Sequence, residues 1–305
     1  MHLKNPRTLA HLLLLATVFV WGATFVLVKN ALADASPLLF NLMRMGLATL
    51  ALIAMNFRQL RSVTRGQLGA GAVAGVFLAA GYQFQTMGLT ETTPAKSAFL
   101  TGLVVVFVPA LTLVPAFRPA GTSAPGANTA IGALLAFAGL ILITTPPGTV
   151  LRHLFASIGA GDLLTLLCAV AFAAHLLTLA RVSKGIPAGV LATLQVGFCA
   201  AAMLITLPLE RPHVSFTPRL WITLAVCSLF ATAAAFTIQS FAQQVLPPTH
   251  TVVLLTLEPV FAWLTGLLVL HQSLDRRSLI GAGLIMAGIV VIEMLHATHT
   301  TEIPA

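Results

Sequence analysis

Ile131-Gly132-Ala133-Leu134-Leu135-Ala136-Phe137-Ala138-Gly139 and Ile280-Gly281-Ala282-Gly283-Leu284-Ile285-Met286-Ala287-Gly288 are two versions of one segment, 149 residues apart with both glycines in register. Other landmarks repeat at nearly the same offset. Pro37 and Pro187 lie 150 residues apart, as do Pro109 and Pro259, and Tyr82 and Gln85 precede Phe236 and Gln239 by 154. Apolar segments resemble one another by chance, but several landmarks at one offset point to a duplication. The seven-residue spacing of Gly132 and Gly139, and of Gly281 and Gly288, keeps each pair on one helix face and predicts a tight packing seam.

The chain around these copies is apolar. Of 305 residues 58% are hydrophobic and only 8% charged, with sixteen Lys and Arg against eight Asp and Glu, and mean hydropathy is +0.97. A soluble domain carries about 25% charge, and a globule of this size lacks the interior to hide so much apolar surface. Disorder needs the opposite composition. A polytopic helical membrane protein remains. The net charge of +8 forms no basic stripe or aromatic ladder, so nucleic acid is not an expected partner. Cys168, Cys199 and Cys227 are far apart inside apolar runs and read as small buried hydrophobes, not as a disulfide framework or metal site.

About 20 apolar residues make a span. Ten candidates follow: Leu9–Val28, Pro37–Phe57, Leu68–Leu89, Ala95–Phe117, Ala127–Thr145, Gly159–Ala180, Ala188–Leu209, Pro218–Gln239, Pro247–Leu270 and Ser278–Leu295. The first is preceded by Lys4 and Arg7 but runs too long for a signal peptide. The longest break, Pro146 to Ile158, reads as a hinge between two units, 9–146 and 156–295. The expected fold is an all-α membrane protein of ten transmembrane helices in two five-helix repeats. An odd number per repeat makes the second copy enter from the opposite side, an inverted topology common in secondary transporters. With the N-terminus inside, Lys4, Arg7, Arg58, Arg61, Arg65 and Arg118 lie inside against Lys29 and Lys96 outside, as the positive-inside rule asks. The second half dissents, with Arg181 and Lys184 inside against Arg152, Arg211, Arg219, Arg276 and Arg277 outside.

Ionisable groups within spans are the first candidates for function, since they are costly in lipid and face a cavity or a partner. Glu258 lies beside Pro259 in helix nine. Such a carboxylate can couple protons, bind a substrate amine, or stay protonated and hydrogen-bonded in the bundle. Arg44 in helix two either bonds carbonyls or faces a cavity, and His175 in helix six either faces the cavity or is a satisfied interior histidine. Pro109 and Pro259 are expected to kink their helices and free a carbonyl, as a gate or as plain structure. Tyr82-Gln83-Phe84-Gln85-Thr86 is polar for a span and belongs inside, as do Gln195 and Gln239, lining a site or bridging helices. Gly71 and Gly75 predict close packing, within the bundle or between copies.

Enzyme motifs fail. Gly159-Ala160-Gly161-Asp162 matches the GxGD of intramembrane aspartyl proteases, but the other aspartates, Asp34 and Asp275, fall in loops, and the chemistry needs a pair. There is no HExxH or Walker loop, and His296 with His299 is too little for a specific metal site. No cofactor is expected.

Trp21-Gly22-Ala23-Thr24-Phe25, Lys29, Pro37 and Arg44 resemble the opening signature of the EamA-type permeases of the drug/metabolite transporter superfamily. Gly81-Tyr82-Gln83-Phe84-Gln85-Thr86-Met87-Gly88-Leu89, Ser97-Ala98-Phe99-Leu100 and Pro109 are similar to its third and fourth helices. Gly161-Asp162 and Arg181 are similar to its sixth. Glu258-Pro259-Val260-Phe261-Ala262 and Ile280-Gly281-Ala282 with Gly288 resemble its ninth and tenth. The resemblance covers about residues 10 to 295. It implies a central cavity, both termini on the cytoplasmic side of the inner membrane, and transport, usually outward, of small metabolites such as amino acids. One departure stands out: where the family commonly has Glu at the end of helix nine, this chain has His271, a group able to titrate near neutral pH or a relaxed loop position.

The leading expectation is a secondary transporter working by alternating access. Thr24, Phe25, Tyr82, Gln85, Phe99, His175, Phe236, Gln239 and Glu258 would line the substrate site, Pro109 and Pro259 would act in the moving helices, and protons are a candidate coupling ion. A non-transporting membrane partner or sensor is the alternative, and a passive channel a third reading.

Overall fold

In a computed structural model the described residues are 6–115, 118, 126–144, 158–246, 254–255, 257–271 and 275–297. Among them the chain is helical, with no strand and one isolated antiparallel bridge between Ala35 and Val214. The helices are α1 Pro6–Ala31, α2 Pro37–Leu60, α3 Arg65–Glu91, α4 Pro94–Thr112, α5 Ala127–Thr144, α6 Ala160–Val182, α7 Ala188–Thr206, α8 Pro218–Val245, α9 Glu258–Leu270 and α10 Arg276–Ala297. Six stretches are long and apolar enough to cross a membrane: Pro6–Ala31, Pro37–Leu60, Pro94–Thr112, Ala160–Gly185, Ala188–Leu209 and Pro218–Val245. By length and composition the described residues therefore support six spans, not the full expected set. The expected hinge at 146–158 lies outside the described residues apart from Ile158, as do the start of the ninth expected span and the side chains of His296 and His299.

Local chemistry sets the helix starts. Proline occupies the first turn of α2, α4 and α8, where its missing N–H costs no hydrogen bond. Thr64, Thr93 and Thr217 cap α3, α4 and α8, each accepting from a backbone N–H three residues on. The break in α4 lies inside the bundle, where protein replaces lipid. α4 breaks at Leu103, between Pro94–Gly102 and Val104–Thr112, and Leu103 is buried. The π-helical segment Val226–Ala234 interrupts α8.

The break in α4 falls at Leu103, well before Pro109, which sits inside the second segment. Pro259 occupies the first turn of α9, directly after a turn at Leu257 that follows helical Leu254 and Leu255. The two irregular places meet, since Gly102 faces the Pro259 ring.

Packing pairs the helices in a pattern. The extensive contacts between α1–α5 and α6–α10 are α1 with α8 and α9, α2 with α7 and α8, α3 with α6 and α7, α4 with α6 and α9, and α5 with α10. Advancing each label by five, cyclically, converts every pair into another of the set or into itself. The glycine seam is the sharpest case. A Cβ on Gly139 would strike the Gly281 carbonyl, one on Gly281 would lie 2.8 Å from the Gly139 carbonyl, and one on Gly288 would strike that of Gly132. Position 132 thus meets 288 while 139 meets 281, so α5 and α10 run antiparallel with backbones in contact. Gly71 and Gly75 of α3 press on Leu194 and Phe198 of α7, so this motif packs within the bundle.

Polar contacts close one end of the molecule. Arg219 donates to both Asp34 oxygens at 2.7 Å, and these hydrogen bonds hold the Asp34 carboxyl below the usual carboxylate range. Ser36 and the Leu39 N–H donate to Glu210 at 2.8 and 2.9 Å. Lys96 pairs with Asp162 at 2.8 Å, and Lys29 donates to the carbonyls of Leu89 and Thr90. The protease-like Asp162 is therefore an ion-pair partner at the start of α6. At the other end Gln244 donates to the carbonyls of Ser183 and Ile186, and Arg181 to that of Arg118.

Candidate functional site

α1 carries Trp21, Thr24, Phe25 and Val28 at the i, i+3, i+4, i+7 spacing of one helix face. That face borders a cavity of about 80 Å³, room for a few waters or a small polar fragment. The walls add Arg44 of α2, Tyr82, Gln85 and Thr86 of α3, Thr101 and Gly102 of α4, Phe172 and His175 of α6, and Phe236 and Gln239 of α8, with Glu258 opening α9. Both halves of the chain contribute. Tyr82 and Phe236, the counterparts read from the repeat, face each other as T-shaped rings with centroids 6.2 Å apart.

The structure thus gathers Thr24, Phe25, Tyr82, Gln85, His175, Phe236, Gln239 and Glu258 around one space. Phe99 is the exception and is corrected. It is buried in the apolar core with Leu100, Leu103 and Val105, because α4 is rotated to turn Thr101 and Gly102 to the cavity instead.

Arg44 is the most connected group. Its Nε donates to Thr232 Oγ1 at 2.9 Å, and its Nη2 to Tyr82 OH and the Ala231 carbonyl, both at 3.2 Å. The guanidinium lies 4.4 Å from the Tyr82 ring centroid, a cation–π geometry. The π-helical turn of α8 makes this possible. Thr232 reaches back to the carbonyl of Cys227, five residues earlier, at 2.7 Å. The Ala231 carbonyl accepts from both Arg44 and the Trp21 indole, the latter at 2.8 Å. Such π-turns recur at functional sites.

The remaining polar groups divide into used and open. His175 Nε2 bonds Gln195 Oε1 at 2.7 Å, and Gln195 donates on to Ser240. This histidine is thus a satisfied interior group that also borders the cavity. Gln85 donates to Thr101, and Thr24 to the Trp21 carbonyl. Gln239 Oε1 is buried without a partner among the described residues. Among those residues the Glu258 carboxyl has no hydrogen bond, and it forms no ion pair with Arg44 although both border the same space. The site therefore presents a cation on one wall, a carboxyl on another, an open amide oxygen and an aromatic lining. No group of three or more His, Cys, Asp or Glu suited to a metal occurs among the described residues.

Arg44, Trp21, Phe172 and Thr101 belong to this lining but were not among the expected site residues. For Arg44 the signal was present, a cation inside a span. Trp21 shares the α1 face of Thr24 and Phe25. Phe172 and Thr101 had no distinguishing signal in helices that are apolar all round.

His271 caps α9 in the left-handed conformation, φ 52°, with its N–H on the Gly266 carbonyl. It does not border the cavity.

Comparison with known proteins agrees with this picture. The EamA-like transporter family matches residues 8–145 and again 159–294. A relative from Archaeoglobus fulgidus, described as an "Uncharacterized transporter", is 28% identical over 298 residues, covering 94% of this chain and 87% of its own. A second from that organism, described in the same words, is 26% identical over 295 residues, covering 93% and 96%. A solved structure described only as a protein crystal structure superimposes with a TM-score of 0.65 at 18% identity, covering 95% of this chain and 98% of that one. That likeness speaks to fold alone. With the family matched twice over nearly the whole length of a chain of apolar helices around a polar cavity, this protein is a multi-pass membrane protein that belongs to the EamA-like transporter family.

Proposed function

We propose that the protein is a secondary transporter for a small amphipathic metabolite bearing both an amine and a carboxylate, an amino acid or close analogue, working by alternating access. The observation that carries this reading is the pair Arg44 and Glu258. They come from different halves, border one cavity with Trp21, Phe25, Tyr82 and Phe236, and are not paired with each other. An unpaired buried cation and an unpartnered buried carboxyl are costly, and a zwitterion bridging them satisfies both. Arg44 would hold the carboxylate, Glu258 and Gln239 the amine, and the rings the apolar part.

Two inverted five-helix repeats, 9–146 and 156–295, are the proposed moving bodies. The helix pairing that survives exchange of the halves and the double family match support that division. A metabolite larger than the present cavity loads when the halves part. Export across the cytoplasmic membrane, with both termini on the cytoplasmic side, is the direction the family resemblance favours. Coupling to protons through Glu258 is a further part of the proposal. A Glu258→Gln variant whose transport kept the wild-type pH dependence would remove Glu258 from that role.

The test is thermal unfolding of the purified protein against amino acids, amines, purines and organic acids, each at two pH values. A ligand at about 100 times its Kd stabilises by roughly 2.7 kcal/mol. Stabilisation by amino acids, but not by the corresponding amines or acids alone, is the expected result. A response to purines alone would overturn the zwitterion assignment. The alternative, a non-transporting partner or sensor, predicts a stable protein complex and no flux in liposomes.

A further inference from the structure

The contacts define two ends of the bundle, and their charges differ. At the end where α2 passes into α3, the apolar residues Leu60 and Val63 pack with Val182, Ile186 and Val190, which joins the α2–α3 turn to the α6–α7 turn in one cluster. Around this joint stand Arg58, Arg61, Arg65 and Lys184, all exposed. No acidic residue occurs in the segments 54–66 and 176–191 that carry them, and among the described residues none of the four is in an ion pair. At the opposite end three acids are engaged from within the protein, Asp34 by Arg219, Asp162 by Lys96 and Glu210 by Ser36. Among the described residues the four cations have no such internal partner.

The surface beneath them is shaped for a chain. Leu50, Ile53 and Phe57 of α2 are 66%, 39% and 53% exposed. At 100° per residue they form one row with Arg61 at its head. The Arg61 guanidinium lies 4.8 Å from the Phe57 ring centroid, which holds the charge directly above the apolar row. A hydrocarbon stripe leading to a cluster of cations is complementary to an acyl chain ending in an anionic headgroup, and Lys and Arg clusters at helix ends favour anionic lipid.

We propose that this corner, formed by the C-terminal end of α2, the start of α3 and the α6–α7 turn, is a binding site for an anionic phospholipid. Its acyl chain lies along Leu50, Ile53 and Phe57, and its phosphate is held by Arg58, Arg61, Arg65 and Lys184. The site fixes this end of the protein in the anionic cytoplasmic leaflet, and it is independent of what the central cavity carries.

The test titrates the full-length protein in neutral detergent with phosphatidylglycerol or phosphatidylcholine of identical chains, reading lipid retention by native mass spectrometry and the unfolding midpoint. The wild type is expected to retain phosphatidylglycerol and lose it as salt is raised. Each removed cation weakens binding about five-fold, so Arg58→Gln/Arg61→Gln/Arg65→Gln loses on the order of a hundred-fold. Phosphatidylcholine binding changes little. Lys184→Gln, expected to lose about five-fold, keeps the test decisive if the triple variant does not fold. Equal retention of the two lipids, unchanged phosphatidylglycerol binding in both variants, or equal stabilisation by free glycerol phosphate would each overturn the proposal.

Discussion

Replacing Arg44 by methionine separates the two things this residue does. In the fold, the change removes three interhelical hydrogen bonds, to Thr232, Tyr82 and Ala231. Such bonds in membrane bundles average about 0.6 kcal/mol each, so the sum is about 2 kcal/mol. Two of the three acceptors keep other partners, since Ala231 still receives the Trp21 indole and Thr232 still donates to Cys227. Release of a buried cation offsets part of the loss. The variant should therefore fold, with stability lowered by no more than about 2 kcal/mol. Ligand binding should suffer more, because truncating one partner of a desolvated charge pair costs about 2–5 kcal/mol, or roughly 30- to several thousand-fold in Kd. The assay is thermal unfolding of wild type and Arg44→Met with an amino acid that stabilises the wild type, and with the amine lacking its carboxylate. The variant should lose the response to the amino acid. Unchanged amino-acid stabilisation in Arg44→Met would refute the reasoning.

The other predictions use different parts of the structure. Gly281→Ala puts a Cβ 2.8 Å from the Gly139 carbonyl and should destabilise by about 1–3 kcal/mol, whereas Gly283→Ala, with nothing within 4 Å of its Cβ, should be neutral or stabilising by up to about 1 kcal/mol; unfolding midpoints in detergent decide. Arg219 depresses the Asp34 pKa, so this group's stabilisation is present at neutral pH and is lost as pH falls through the folded value, below the ordinary aspartate range. Asp34→Asn should accordingly narrow its stability gap to wild type as a pH series descends from 7 into that range. His271→Gly relieves a left-handed backbone at the end of α9 and should stabilise by about 0.5–1 kcal/mol without changing ligand affinity, as read from the midpoint and Kd together.

The apolar helical character of the chain and many of the residues around the cavity were legible because they rest on local patterns. Runs of apolar residues give helices, and Thr24 with Phe25, or Tyr82 with Gln85, are polar or aromatic neighbours on one face. The paired glycines foretold the α5–α10 seam because only a residue without a side chain permits backbone contact there. The misplacement of Phe99 has a physical cause. In a helix apolar on every side the hydrophobic pattern does not fix rotation, so Phe99 read as lining while the structure turns Thr101 inward. The π-helical turn of α8 has no marker in Val226–Ala234, and it shows only through what it presents, the Ala231 carbonyl and Thr232 hydroxyl beneath Arg44. The dissenting charges of the second half become intelligible in part once Arg219 is seen bonded to Asp34.

The most direct test of the central claim is counterflow in proteoliposomes, using the amino acid that best stabilises the purified protein. Liposomes preloaded with unlabelled amino acid should accelerate entry of labelled amino acid in a saturable manner, and both Arg44→Met and Glu258→Gln should abolish the acceleration. Entry that rises linearly with concentration without acceleration from the far side, or counterflow that survives both substitutions, would contradict a transporter that binds its cargo between Arg44 and Glu258.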